Sequence, residues 1–269
     1  MTLGDMAKDG GNLFLSKDEK DQFLEEYPDC TKFVRNIVGS EEFIKGKRRW
    51  CIWVEEADYA EANQNPYLKS RFDKVAQSRL ASPKAATQKF SEHPYRFVEV
   101  RTKHTNKLLI PTVSSSRRPY IPIGFFTEQD IVNAPNNVIY NPEPYIFGVI
   151  HSKMHMAWVK AIGGKLKTDY RYSVALIYNN FPIPKLSEKQ KNEIFSATLN
   201  ILEVRERYSA NTIAQLYDPE KMPEDLRVAH EYLDKSIDRI YQNLSFNNDE
   251  ERLECLINLY EKMTGSEDA

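Results

Sequence analysis

A chain of 269 residues that is 41% hydrophobic and 12% aromatic can bury a substantial core, which excludes a disordered protein. Its three cysteines, Cys30, Cys51 and Cys255, are odd in number and far apart, which speaks against a disulfide scaffold and for a reducing compartment. The net charge of −2 hides a division: residues 30–184 hold 23 Lys+Arg against 13 Asp+Glu, whereas residues 185–269 hold 11 against 18.

The N-terminal MTLGDMAKDGG lacks the basic and apolar regions of a signal peptide, and no apolar run is long enough to span a bilayer. A soluble, cytoplasmic protein is expected. Ser16 with Glu19 predicts a capping box ahead of a helix through DEKDQFLEEY, and Pro28 suits a second helix start before TKFVRNIV. KRRWCIWV (Lys47 to Val54) reads as a strand. From Asn65-Pro66 to Leu80, the spacing of Leu68, Phe72, Val75 and Leu80 predicts a helix with Lys69, Arg71, Lys74 and Arg79 on its outward face.

Beyond His93-Pro94, YRFVEVR, KLLIPTV, YIPIGFF, NVIY and YIFGVI are short β-rich runs divided by Asn, Pro and Ser clusters. Prolines 111, 122, 142 and 144 predict edge strands or bulges in an irregular sheet. Ser152 to Ile162 reads as a helix closed by a left-handed cap at Gly163-Gly164, and GGKLKTDYRYS and VALIY then read as strands. FPIP (Phe181 to Pro184) marks a boundary. Three helices are predicted beyond it: one capped by Ser187 and Gln190, one started at Pro223, and one from Asn248-Asp249 to Gly265.

Motifs for catalysis do not hold together. NPEPY (Asn141 to Tyr145) is similar to the Asn-Pro-Pro-Tyr loop with which adenine-N6 methyltransferases hold a flipped base, but Glu143 breaks the paired prolines and no methyl-donor glycine loop accompanies it. A turn is the better reading. His151 and His155 have the i, i+4 spacing of two ligands on one helix face, yet no further ligand is near in sequence, so they read as structural histidines. Pro28-Asp29 with Glu41-Glu42 and Lys45 misses the acid-x-Lys spacing of metal-dependent nucleases. No catalytic residue and no metal ligand is assigned.

The basic middle carries three clusters: Lys45, Lys47, Arg48 and Arg49; Ser114, Ser115, Arg117 and Arg118 in SSSRRPY; and GGKLKTDYRYS. Hydroxyls beside guanidiniums suit phosphate oxygens, so the first two clusters are phosphate-contact candidates. On a single strand, Lys165, Lys167, Asp169 and Arg171 would share one face and present donors and an acceptor to base edges. One such cluster is most often a solvated surface. Three in a region with a surplus of ten cations point to a nucleic acid.

Longer motifs occur in a fixed order: GGNLFLS, GSEEFIKGKRRWCIW, RPYIPIGF, FGVIHSKMHMAW, GGKLKTDYRYS, YNNFPIP and LYDPEKMPEDLRVAHEYLDKSIDRIY. Together they resemble the C-terminal part of the MmeI-like fused restriction–modification enzymes, type IIL or IIG. The resemblance implies an α+β fold, a mixed irregular sheet with helices followed by an all-helical C-terminal segment. It implies an N-terminal helical connector at 1–29, a DNA target recognition domain at 30–183 and a helical spacer at 184–269. By the same resemblance, residues shortly before the YNNFP motif contribute to base recognition, and here these are Lys165, Lys167, Asp169 and Arg171. Double-stranded DNA and the methyltransferase domain of the same polypeptide, or a separate subunit, are the implied partners. S-adenosylmethionine and Mg2+ are expected for the full-length enzyme and neither in this chain, because its catalytic motifs precede this region. The alternatives are a protein-interaction module that docks a methyltransferase without base readout, and a small self-contained methyltransferase, against which the missing donor loop counts.

Overall fold

The computed structural model describes residues 1–242 and 246–265. Along the chain, β1 (Thr2–Leu3) and β2 (Phe14–Leu15) precede α1 (Lys17–Glu26), a 3-10 segment at Pro28–Phe33 and β3 (Val34–Val38). Then come α2 (Ser40–Lys45), β4 (Trp50–Ile52), α3 (Tyr59–Ala62), α4 (Pro66–Leu80) and α5 (Ala85–Lys89). Short strands follow: β5 (Lys107–Ile110), β6 (Val113–Ser114), β7 (Gly124–Phe126), β8 (Ile131–Val132) and β9 (Asn137–Tyr140). Next are α6 (Pro144–Ile150), α7 (Lys153–Ile162), β10 (Gly164–Leu166) and β11 (Asp169–Arg171). The remainder is helical, with α8 (Glu188–Arg207), α9 (Ile213–Leu216), α10 (Glu224–Tyr241) and α11 (Asp249–Gly265). The fold is α+β, with an all-helical C-terminal segment. Residues 243–245 and 266–269 of the expected helical spacer lie outside the described residues.

The chain divides into two compact units. One comprises Leu3–Thr105 and Phe126–Val138; the other comprises Met1–Thr2, Asn106–Phe125 and the chain from Ile139 onward. This division differs from one drawn at Phe181 to Pro184, and residues 3–29 pack into the first unit. Leu13, Leu15 and Phe23 are buried in its core.

In the first unit the sheet order is β2-β4-β3-β8, with β8 parallel to β3 and the other pairs antiparallel. The expected helix after Pro28 lasts only for the 3-10 segment, because the β-branched Val34, Ile37 and Val38 go into β3. YRFVEVR forms no strand; only Glu99 makes an isolated bridge, to Met6. Helix α4 starts at Asn65, whose side chain accepts from the Tyr67 and Leu68 amides.

Arg79 overturns the outward basic face expected of α4. Its side chain is fully buried, whereas Leu80 is 59% exposed. The guanidinium donates once from each N–H: Nε to Lys8 O (3.1 Å), Nη1 to Phe90 O (2.9 Å) and His93 O (2.8 Å), and Nη2 to Ala7 O (3.0 Å) and Arg96 O (2.6 Å). Five donors meet five carbonyls of irregular backbone that no ladder satisfies. Burial lowers its pKa to about 10.

Another sheet has the order β1-β9-β5-β7. A separate antiparallel sheet has the order β10-β11-β6. YIFGVI is helical, as α6, because Pro144 at its first turn favours a helix start. A Cβ on Gly148 would fall 2.5 Å from Ile194 and 2.7 Å from the Thr198 hydroxyl, so only glycine lets α6 sit this close to α8. Helices α8 and α10 begin at Ser187 and Pro223 as expected, the former with a full capping box.

Two further expectations fail locally. VALIY is a π-helix, Val174–Tyr178, and not a strand: the Asn180 amide donates to Ala175 O and Leu176 O, and Trp158 Nε1 donates to Ile177 O. Gly163 is extended (φ −72°) and not left-handed. A Cβ there would lie 2.4 Å from Val159 O, so the requirement for glycine is close approach.

Candidate nucleic-acid interface

The three basic clusters divide between the two units. Lys45–Arg49 lies in the first unit, and the other two lie in the second. Within the second unit the sheet brings these two together: Tyr170 stands opposite Ser114 and Arg171 opposite Val113.

GGKLKTDYRYS is a hairpin and not one strand. β10 and β11 pair antiparallel with Gly164 opposite Arg171, Lys165 opposite Tyr170 and Leu166 opposite Asp169. The loop is the two residues Lys167 and Thr168, with Lys167 in the left-handed region at φ 57°. Opposed residues share a face. Asp169 and Arg171 therefore project with Leu166, Lys165 projects with Tyr170 from the other side, and Lys167 stands at the tip. The single face of Lys165, Lys167, Asp169 and Arg171 is corrected by this fold-back.

Charge pairing separates the clusters further. Lys45 and Lys47 both bind Glu41, at 2.6 and 2.9 Å, and these contacts hold the Glu41 carboxyl at about 2. Arg49 pairs with Glu42 at 3.1 Å and lies over the Phe14 ring, leaving only Arg48 of that cluster exposed and unpaired among the described residues. Arg117 pairs with Glu220 at 2.9 Å. Burial pushes the Arg118 guanidinium down, opposed by the charges of Asp169 and Asp218. Ser114 is buried with no partner for its hydroxyl among the described residues, so it does not face solvent as a phosphate contact would; Ser115 is half-buried. By contrast, Lys165, Lys167 and Arg171 are exposed, and none has an ion pair or hydrogen-bonded side-chain partner among the described residues. Asp169 is half-buried and accepts from the Ser116 amide at 3.4 Å, tethering the Ser-Arg loop to the hairpin.

The histidines are core groups. His151 Nε2 lies 2.9 Å from the Tyr217 hydroxyl, and Arg205 donates to both His151 (2.6 Å) and Tyr217 (2.7 Å). His155 pairs with the Tyr172 hydroxyl at 2.9 Å. His151 also follows α6 while His155 lies within α7, so they do not share one helix. No three His, Cys, Asp or Glu side chains gather as a metal site among the described residues. Asn141 takes φ 48° in the turn before α6, which begins with Glu143 as N-cap.

What sequence reasoning missed is the reversal at Lys167-Thr168, which carries none of the Gly or Asn that announces a hairpin. The neutralisation of Lys45 was visible in its i, i+4 spacing from Glu41.

An unpaired cationic hairpin on a small sheet, carried by a helical segment, defines a module suited to a polyanion. The chain belongs to the MmeI family: the family model "MmeI, target recognition domain" matches residues 1–185, and "MmeI, C-terminal domain" matches residues 186–266. It is 42% identical over 262 residues to a Bacillus subtilis (strain 168) protein named DNA methyltransferase A, covering 97% of this chain and 30% of that one. It is also similar to a solved structure of the Type IIL restriction–modification enzyme MmeI in complex with DNA, with a TM-score of 0.94, 38% identity, and coverage of 98% of this chain and 35% of that one. The chain thus spans about a third of the length of these relatives.

Proposed function

We propose that this chain is the DNA sequence-recognition part of a restriction–modification adenine-N6 methyltransferase/endonuclease, holding the catalytic domains of the same polypeptide on their target. The carrying observation is the β10–β11 hairpin, whose three exposed cations have no side-chain partner among the described residues. A cation already paired gains little by exchanging one anion for another, whereas an unpaired one releases counterions when it meets phosphate. A two-stranded ribbon also fits the major groove, where base edges differ. Lys165 sets register against phosphate, and Lys167 at the tip, Asp169 and Arg171 face the bases. Arg48, Ser115 and Arg118 are secondary phosphate contacts, and Lys45, Lys47, Arg49 and Arg117 join only by leaving their carboxylates. Similarity to the MmeI–DNA structure supports this reading.

The residues described do not fit S-adenosylmethionine or Mg2+: they supply neither a methyl-donor glycine loop nor a carboxylate cluster, so no step here runs through either. The test is titration of a mixed-sequence duplex at rising salt. Affinity that falls steeply on a log–log plot supports the proposal; absence of any salt-dependent duplex binding favours a protein-docking module instead.

A further inference from the structure

The hairpin exposes one apolar side chain between its cations. Leu166 is 54% exposed at the end of β10, flanked by Lys165 and Lys167. The register sets it directly across from Asp169 and on the same face as Arg171. It joins neither buried cluster of the protein nor the partly buried residues packed against them. A leucine held by a ladder on the face that carries a free guanidinium is placed to touch what that face touches.

We infer that Leu166 is a specificity-determining residue that contacts the C5-methyl group of a thymine in the major groove. This rests on the DNA-recognition reading above. Thymine is the one natural unmodified base that offers a methyl group on that edge, and apolar side chains read it by contact. The polar neighbours fit the same pose. Arg171 reaches guanine or phosphate, Asp169 accepts an amino hydrogen from an adjacent base, and Lys165, on the opposite face, reaches backbone phosphate. Lys167 in the left-handed region turns the chain within two residues, which keeps the ribbon narrow at its tip.

The experiment selects bound sequences from two random duplex pools, one built with thymidine and one with deoxyuridine, which lacks only the methyl group. Wild-type protein should enrich a motif whose preference for thymine at one position disappears in the deoxyuridine pool, with binding about fourfold weaker for uracil at that position, as expected for one lost methyl contact. Leu166→Ala should lose that preference and give the same motif in both pools, while Leu166→Met should retain it. Identical wild-type motifs in both pools, or a thymine preference that survives Leu166→Ala, would overturn the inference while leaving DNA recognition standing. A wild-type protein that enriches no motif in either pool would overturn the DNA-recognition reading and this inference with it.

Discussion

Leu166 stands directly opposite Asp169 across the β10–β11 ladder, and that single pairing sends Lys165 and Arg171 out of opposite faces of the hairpin. The cations are thus spread around a ribbon and not aligned along a strand. Each of Lys165→Ala, Lys167→Ala and Arg171→Ala should lower the slope of log affinity against log salt by about 1 if the side chain meets phosphate. Lys45→Ala and Lys47→Ala, whose ammonium groups Glu41 already holds, should change it by clearly less. Fluorescence anisotropy on one duplex at four salt concentrations reads all five variants.

Arg79 closes five carbonyls of the first unit. Arg79→Met keeps the apolar stem but leaves Ala7 O, Lys8 O and Arg96 O without a donor, while Phe90 O and His93 O keep only the His93 and Arg96 amides, which should lower stability by about 3 kcal/mol. Arg79→Lys should recover little of this, since an ammonium group cannot reproduce the planar fork. Exposed Lys69→Ala, on the same helix, should stay within about 0.5 kcal/mol. Urea unfolding measures the three together.

Lys167 occupies backbone space that favours glycine. Lys167→Gly should stabilise the fold by up to about 1 kcal/mol, as strain at a left-handed residue is released, while weakening duplex binding through the lost charge. Thermal unfolding and anisotropy should therefore move in opposite directions. A variant less stable than wild type would show that the loop carries no strain.

Burial holds the His155 imidazole at about 3, and burial first, with Arg205 next, holds His151 and His230 well below 6.5. Unfolded histidines take a proton near pH 6.5, so between pH 6.5 and 3 the unfolded state binds more protons. This contribution to stability is complete above pH 6.5 and is lost as pH falls. Asp234 opposes it. Burial raises its carboxyl to about 6, so the folded state takes that proton first and gains stability as pH falls from 6 to 3.8. Three histidines outweigh one carboxyl, and the protein should lose stability on acidification below pH 6. His155→Gln, which still hydrogen-bonds to Tyr172, should flatten the slope by about 1.4 kcal/mol per pH unit between pH 5.5 and 4.5. Urea midpoints at pH 7, 5.5 and 4.5 test this.

The helical segment after Pro184 was legible because its signals are local: Ser187 with Gln190, Pro223, and apolar residues at helical spacing. The hairpin was not. An alternating Lys-x-Lys-x-Asp-x-Arg pattern has period 2 whether the chain runs straight or folds back, and Lys167-Thr168 gives no turn signal. VALIY and YIFGVI are rich in β-formers, yet the Asn180 amide and Pro144 turned them helical. Arg79 defeated a rule that places charge outward, because its partners are carbonyls from segments distant in sequence. Basic composition pointed to residues 30–184, a stretch that spans parts of both units, while the distinction between paired and unpaired cations needed tertiary structure.

The most direct test of DNA readout by this hairpin compares the base preferences of wild-type protein with those of Lys167→Gln and Asp169→Asn, selected from one random duplex pool. The account predicts that the preferred base changes at one or two positions and stays fixed at the others. A uniform loss of affinity with the preference unchanged at every position would contradict it and restrict these side chains to the phosphate backbone or to folding.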